Sequence, residues 1–134
     1  MKVIIGNNEF NVKICMTSES IRNGMMGKRF NDEFNGMFFL MPHKGEQSFW
    51  MMNCIIPLDI IMIDGSIITE VHSNCEPCND EHECQSYKGY GNRVLEIAGG
   101  TAEKLNIKKE TKSPFHYSDL DSFIFSLSCL TNSA

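Results

Sequence analysis

The chain has 134 residues, 42% of them hydrophobic, which is the length and apolar content of one domain with one core. Its formal charge of -5 argues against nucleic-acid binding, because that affinity depends on Lys and Arg neutralising phosphates. Pro57, Asp59 and Asp64 keep the longest apolar run below the roughly 18 residues of a membrane span, and Met1–Asn8 is too short in apolar residues for a secretory signal. The expectation is a soluble protein, cytoplasmic as given, with an exported mature form left open.

Lys2 to Ile5 and the alternating Phe10, Val12 and Ile14 read as two strands joined at Gly6-Asn7-Asn8. Thr17 is placed to cap a short helix over Ser18 to Asn23, and Gly24 to end it in a left-handed conformation. Gly36 to Met41 is an apolar run closed by Pro42, the pattern of a buried strand. Ser48 to Met52 and Leu58 to Ile63 read as two more strands, and Asp64-Gly65 as a hairpin turn into Ile67 to Val71. Ser73 to Asn92 is polar, Cys-rich and irregular, a long loop of the kind that is often functional. Arg93 to Ile97 returns to a strand, and Thr101 is placed to cap a helix over Ala102 to Asn106.

These elements predict an α+β fold: one small domain, mainly an antiparallel β-sheet, barrel-like or strongly twisted, with two or three short helices. The β-rich domain spans residues 1–109 and a C-terminal extension spans 110–134. In that tail Leu120, Phe123, Ile124, Leu127 and Leu130 fit a helix, whereas Phe123, Phe125, Leu127 and Cys129 alternate as a strand would. Helix is slightly favoured. A homodimer formed through the tail is one partner expectation.

Arg22-Asn23-Gly24-Met25-Met26, Gly36-Met37-Phe38-Phe39, Phe49-Trp50-Met51-Met52-Asn53, Ile56-Pro57-Leu58-Asp59, Ile63-Asp64 and Val94-Leu95-Glu96 before Gly99 occur in the order of a known family. On them the chain resembles domain of unknown function 192 from Phe10 to Ile107. The resemblance implies a small β-rich α+β domain, often secreted in other members, with no established activity, substrate or cofactor. The chain departs from the pattern at Met26, at Cys54 in place of Thr and at Asn106 in place of Gly, and the family does not account for the tail after Lys109.

Three sets of residues carry candidate chemistry. Cys75-x-x-Cys78 with His82 and Cys84 offers thiols and an imidazole of the type that holds tetrahedral zinc, although the His82–Cys84 spacing is tighter than the usual pattern. Ordinary free thiols are a second reading. The third is a Cys78–Cys84 disulfide, the pair that matches the one preceding the family's Tyr, here Tyr87. No other cofactor is expected. Cys15, Cys54 and Cys129 read as small buried residues.

Asp59 lies within the apolar run Ile55 to Ile63, where an ionised carboxylate requires a partner. Arg22 is the leading candidate partner, since a guanidinium can hold a carboxylate in two hydrogen bonds; a set of backbone N–H groups is the other. As an active group, Asp59 would act as general base with His72 and Glu96 in one cleft. Glu96 is equally readable as part of a solvated strand face. Trp50, with Asn53, Tyr87 and Arg22, fits a stacking surface with polar orienters for a small ligand or a protein partner, and Trp50 also fits a core position. The sequence carries no G-x-S-x-G, no phosphate-binding Gly loop and no H-E-x-x-H. A binding or accessory module is therefore the leading expectation, and a small hydrolase-like enzyme using Asp59 and His72 the alternative.

Overall fold

A computed structural model describes residues 1–109 and 115–118. Strands β1 (Lys2–Ile5) and β2 (Asn8–Cys15) form a hairpin, followed by helix α1 (Ser18–Asn23) and the long strand β3 (Gly36–Phe49). Strands β4 (Leu58–Asp64), β5 (Ile67–Cys75) and β6 (Tyr87–Ala98) follow, then helix α2 (Thr101–Lys104) and strand β7 (Phe115–Ser118). The seven strands make one sheet in the order β5-β4-β6-β3-β2-β1-β7, curled into a half-barrel. Every pairing is antiparallel except β2 with β3. That parallel pair needs a crossover, and α1 lies in it.

Both faces of the sheet are covered, which is why β4 is apolar almost without alternation. On the inner face Phe38, Ile61, Ile63, Leu95 and Ile97 pack with Val3, Ile5 and Ala102 of α2. On the outer face Met37, Phe39, Ile60, Met62 and Val94 pack under Met25, Phe34 and Met51 from the connecting segments.

Thr17 caps α1 as expected: its Oγ1 accepts from Ser20 N at 3.0 Å, and Ser20 Oγ accepts from Thr17 N at 3.0 Å. Gly24 ends the helix with φ 39° and ψ -124°, so φ is positive but the residue is outside the left-handed helical region expected from sequence. A side chain there would be strained, and its Cβ would stand 3.2 Å from the Phe39 ring.

Four expectations are corrected. Gly36–Met41 and Ser48–Met52 are not two strands: β3 runs unbroken to Phe49, with a register shift between Leu40 and Gly45. Pro42, which has no N–H for a ladder, falls within that irregularity. Trp50 to Pro57 leaves the sheet instead of continuing a strand. The polar segment from Ser73 to Asn92 is not one long loop: β5 reaches Cys75 and β6 starts at Tyr87, which leaves residues 76–86 as the loop between them. Those strand ends are half-exposed, so their residues carry the polarity of a loop. Finally, α2 begins at Thr101 and ends at Lys104; its N-cap is Gly100, and the Thr101 side chain is not the cap. Chain beyond Lys109 rejoins the sheet as β7 beside β1. The helix or strand expected over Leu120 to Leu130, and the dimer expected through it, lie outside the described residues.

Candidate ligand cleft

The segment after β3 is pinned by backbone bonds on both sides. Asn53, at φ 58°, accepts at its carbonyl from Gly27 N (2.9 Å) and donates its N–H to Cys78 O (2.8 Å). Cys78 N in turn donates to Met51 O at 3.2 Å. A Cys78–Cys84 disulfide closes the loop that supplies these contacts. This anchoring holds the 50–54 segment away from the sheet, and an apolar cleft of about 170 Å³ opens between it, the end of α1 and the outer face of β3.

Phe39 and Phe49 form one wall edge to face, with centroids 4.9 Å apart. The thioethers of Met25, Met26, Met41 and Met52 line much of the remainder. At the mouth stand Arg22 and Trp50, the latter 43% exposed. Trp50 is therefore a rim residue, while its neighbour Met51 fills the core.

Glu96 is the acid at the floor. On β6 it lies opposite Met37 and Ile60, facing the outer core, and is only 4% exposed. Among the described residues, its carboxyl has neither a hydrogen-bond donor nor an ion-pair partner. Burial pushes its pKa up to about 8, so near neutral pH it is mainly an uncharged acid able to donate a hydrogen bond. Cys15 and Cys54 lie close enough to feel it. Burial first, then the Glu96 charge, pushes both thiols up to about 11 against the opposing pull of Lys28. Such thiols are protonated near neutrality and are poor nucleophiles.

Asp59 has a different task. Its Oδ1 accepts from Asn74 N (2.8 Å) and Gly100 N (3.0 Å), and its Oδ2 from Ala102 N (2.7 Å). This fully buried carboxylate ties β5 to the start of α2 and supplies the cap that Thr101 does not. Arg22, exposed at the cleft mouth, is not its partner. Because Ile60 is the residue opposite Glu96, its neighbour Asp59 points to the other face of the sheet. His72 packs its ring 5.3 Å from Tyr87 and places Nε2 2.7 Å from Lys88 O. Asp59, His72 and Glu96 thus do not meet in one cleft. Of the proposed ligand contacts, Trp50 and Arg22 share the cleft, whereas Asn53 and Tyr87 lie outside its lining.

The four candidate zinc ligands are also dispersed. Cys78 and Cys84 are consumed by their disulfide, Cys75 is buried with Sγ donating to His72 O at 3.5 Å, and His82 is exposed. Among the described residues no group of three or more His, Cys, Asp or Glu side chains is placed to hold a metal ion. Sequence reasoning undervalued Glu96. Glu96, between Val94-Leu95 and Ile97-Ala98, is a carboxylate embedded in an apolar run just as Asp59 is.

The half-barrel and its capped sheet define a small β-rich α+β domain. The family model described as "Uncharacterized ACR", DUF192, matches residues 1–115, and the chain belongs to that family. A protein of unknown function from Novosphingobium aromaticivorans DSM 12444 has a similar structure, with TM-score 0.74 and 29% identity over 87% of this chain and 84% of that one. A protein from Sinorhizobium meliloti 1021, described as a candidate transcription regulator, shares the fold at TM-score 0.72 and 21% identity over 86% of this chain and 89% of that one. No curated protein matches the chain significantly. Among the described residues no helix is long and apolar enough to cross a membrane.

Proposed function

We propose that the protein is a binding module whose cleft takes a small, mainly apolar ligand and fixes its polar end on Glu96. The observation that carries this reading is a carboxyl group buried at the base of an apolar cleft with no partner from the described chain. Buried polar groups are almost always satisfied, and one left open toward a concave surface suits a ligand group. The aromatic and thioether walls supply apolar area, and the methionines can repack around differently shaped ligands. Binding is favoured over turnover because Asp59 is engaged by backbone donors and the thiols beside Glu96 are held protonated. The Cys78–Cys84 disulfide suits an oxidising compartment, which favours an exported mature form over a cytoplasmic one.

A fragment screen followed by methionine-methyl NMR tests this. Ligands should shift the methyl signals of Met25, Met26, Met41 and Met52 together and quench Trp50. Fragments that shift only methyls outside this group, or none, would refute the assignment.

A further inference from the structure

We infer that the ligand is a small hydrophobic amine, held as its ammonium ion against the Glu96 carboxylate and flanked by the rings of Phe39, Phe49 and Trp50. This rests on the cleft being a binding site and specifies what it binds. To ionise among aromatic rings and thioethers, Glu96 needs a compensating cation, and among the described residues no Lys or Arg forms an ion pair with it. Lys28 donates to Gly24 O at 2.8 Å and Arg22 stays at the exposed mouth, where water screens it. An ionised Glu96 therefore takes its balancing charge from the ligand. An ammonium ion provides it with a charge-assisted hydrogen bond, roughly twice as strong as a neutral one, and the ring faces add cation–π attraction.

Free Glu96 holds a proton near neutrality; the incoming ammonium displaces that proton to solvent as the ion pair forms. The neighbours facing Glu96 do not compete for this role. Cys15 from β2, Cys54 from the 50–54 segment and Cys75 from β5 are all pushed up to about 11, and His72 is bound to Lys88 O outside the cleft lining.

The test is calorimetry on the full, disulfide-intact chain with benzylamine and its neutral counterpart benzyl alcohol, in buffers of differing ionisation enthalpy. Benzylamine should release close to one proton at pH 6.5 and bind about tenfold more tightly per pH unit between pH 6 and 7.5. Benzyl alcohol should bind more weakly and release none. Equal or tighter binding of the alcohol, without proton release, would overturn the amine while leaving the cleft as a binding site. Failure of both to bind at millimolar concentration would defeat both readings.

Glu96→Gln should abolish proton release and weaken benzylamine at least about tenfold, the loss of one charge-assisted contact. If that variant does not fold, Trp50→Ala on the exposed rim provides a second measure. It should weaken benzylamine severalfold with proton release intact, and unchanged affinity would remove the aromatic part of the claim.

Discussion

Two acidic residues, one on each face of the same sheet, are buried for opposite reasons. Asp59 is satisfied by three backbone N–H groups, so removing its carboxylate strands three donors at the junction of β5 and α2. With each buried unsatisfied donor costing about 1–3 kcal/mol, Asp59→Ala should destabilise the fold by about 3–5 kcal/mol, and Asp59→Asn, which keeps one acceptor oxygen, by less. Urea titrations of both variants measure this; an Ala variant within 1 kcal/mol of the parent, roughly the net worth of one ordinary hydrogen bond, would contradict the assignment. Glu96 gives a pH signature. Its folded pKa, about 8, lies above the ordinary value of 4.5, so the folded state retains a proton that the unfolded chain releases. The associated stability is complete below pH 4.5 and is lost as pH rises through about 8. The melting temperature should accordingly fall between pH 5 and 8.5, and Glu96→Gln should flatten that slope, as thermal melts across the range will show.

At the level of elements, the cleft depends on pieces that brace one another. The Cys78–Cys84 bridge encloses a short loop whose backbone holds Met51 and Asn53. Replacing both cysteines with Ser should lower stability by about 2 kcal/mol, the chain-entropy value for so short a ring, and broaden the Met52 methyl signal as the cleft wall loosens. Chemical denaturation and NMR provide the two readings. Strands β4 and β6 approach closely at Gly91, where a Cβ would overlap the Ile63 carbonyl and the positive φ of 148° disfavours any side chain. Gly91→Ala should therefore destabilise by about 3 kcal/mol or more, above the usual range for overpacking, because the clash is with backbone that cannot rotate away. A variant that melts with the parent would show that the two strands separate readily there.

Across the whole molecule, one sheet serves two cores. Phe38, Ile61 and Leu95 face inward while Phe39, Ile60 and Val94, their chain neighbours, face outward, so neither core can melt without disturbing the same strands. Unfolding should be a single cooperative transition, with Trp50 fluorescence, which reports the cleft, coinciding with far-UV circular dichroism, which reports the sheet. A separate, earlier fluorescence transition would mean that the outer layer folds independently.

The residues themselves determine a good part of this. Local rules fixed the Thr17 cap, the turn at Gly6-Asn7, the hairpin after β4 and the apolar runs that must be buried, because capping, positive φ and hydrophobic run length are short-range properties; the hairpin turn itself is Gly65-Ser66, one residue later than expected, with Asp64 still paired opposite Ile67. The same local evidence showed that Asp59 needed compensation, but left Trp50 open between a core position and a ligand-facing one. It could not show that Asp59 caps α2 from across the sheet or that Glu96, paired opposite Ile60, faces the cleft. Those facts depend on strand register and on which loop covers which face, and both are set by contacts between residues distant in the chain.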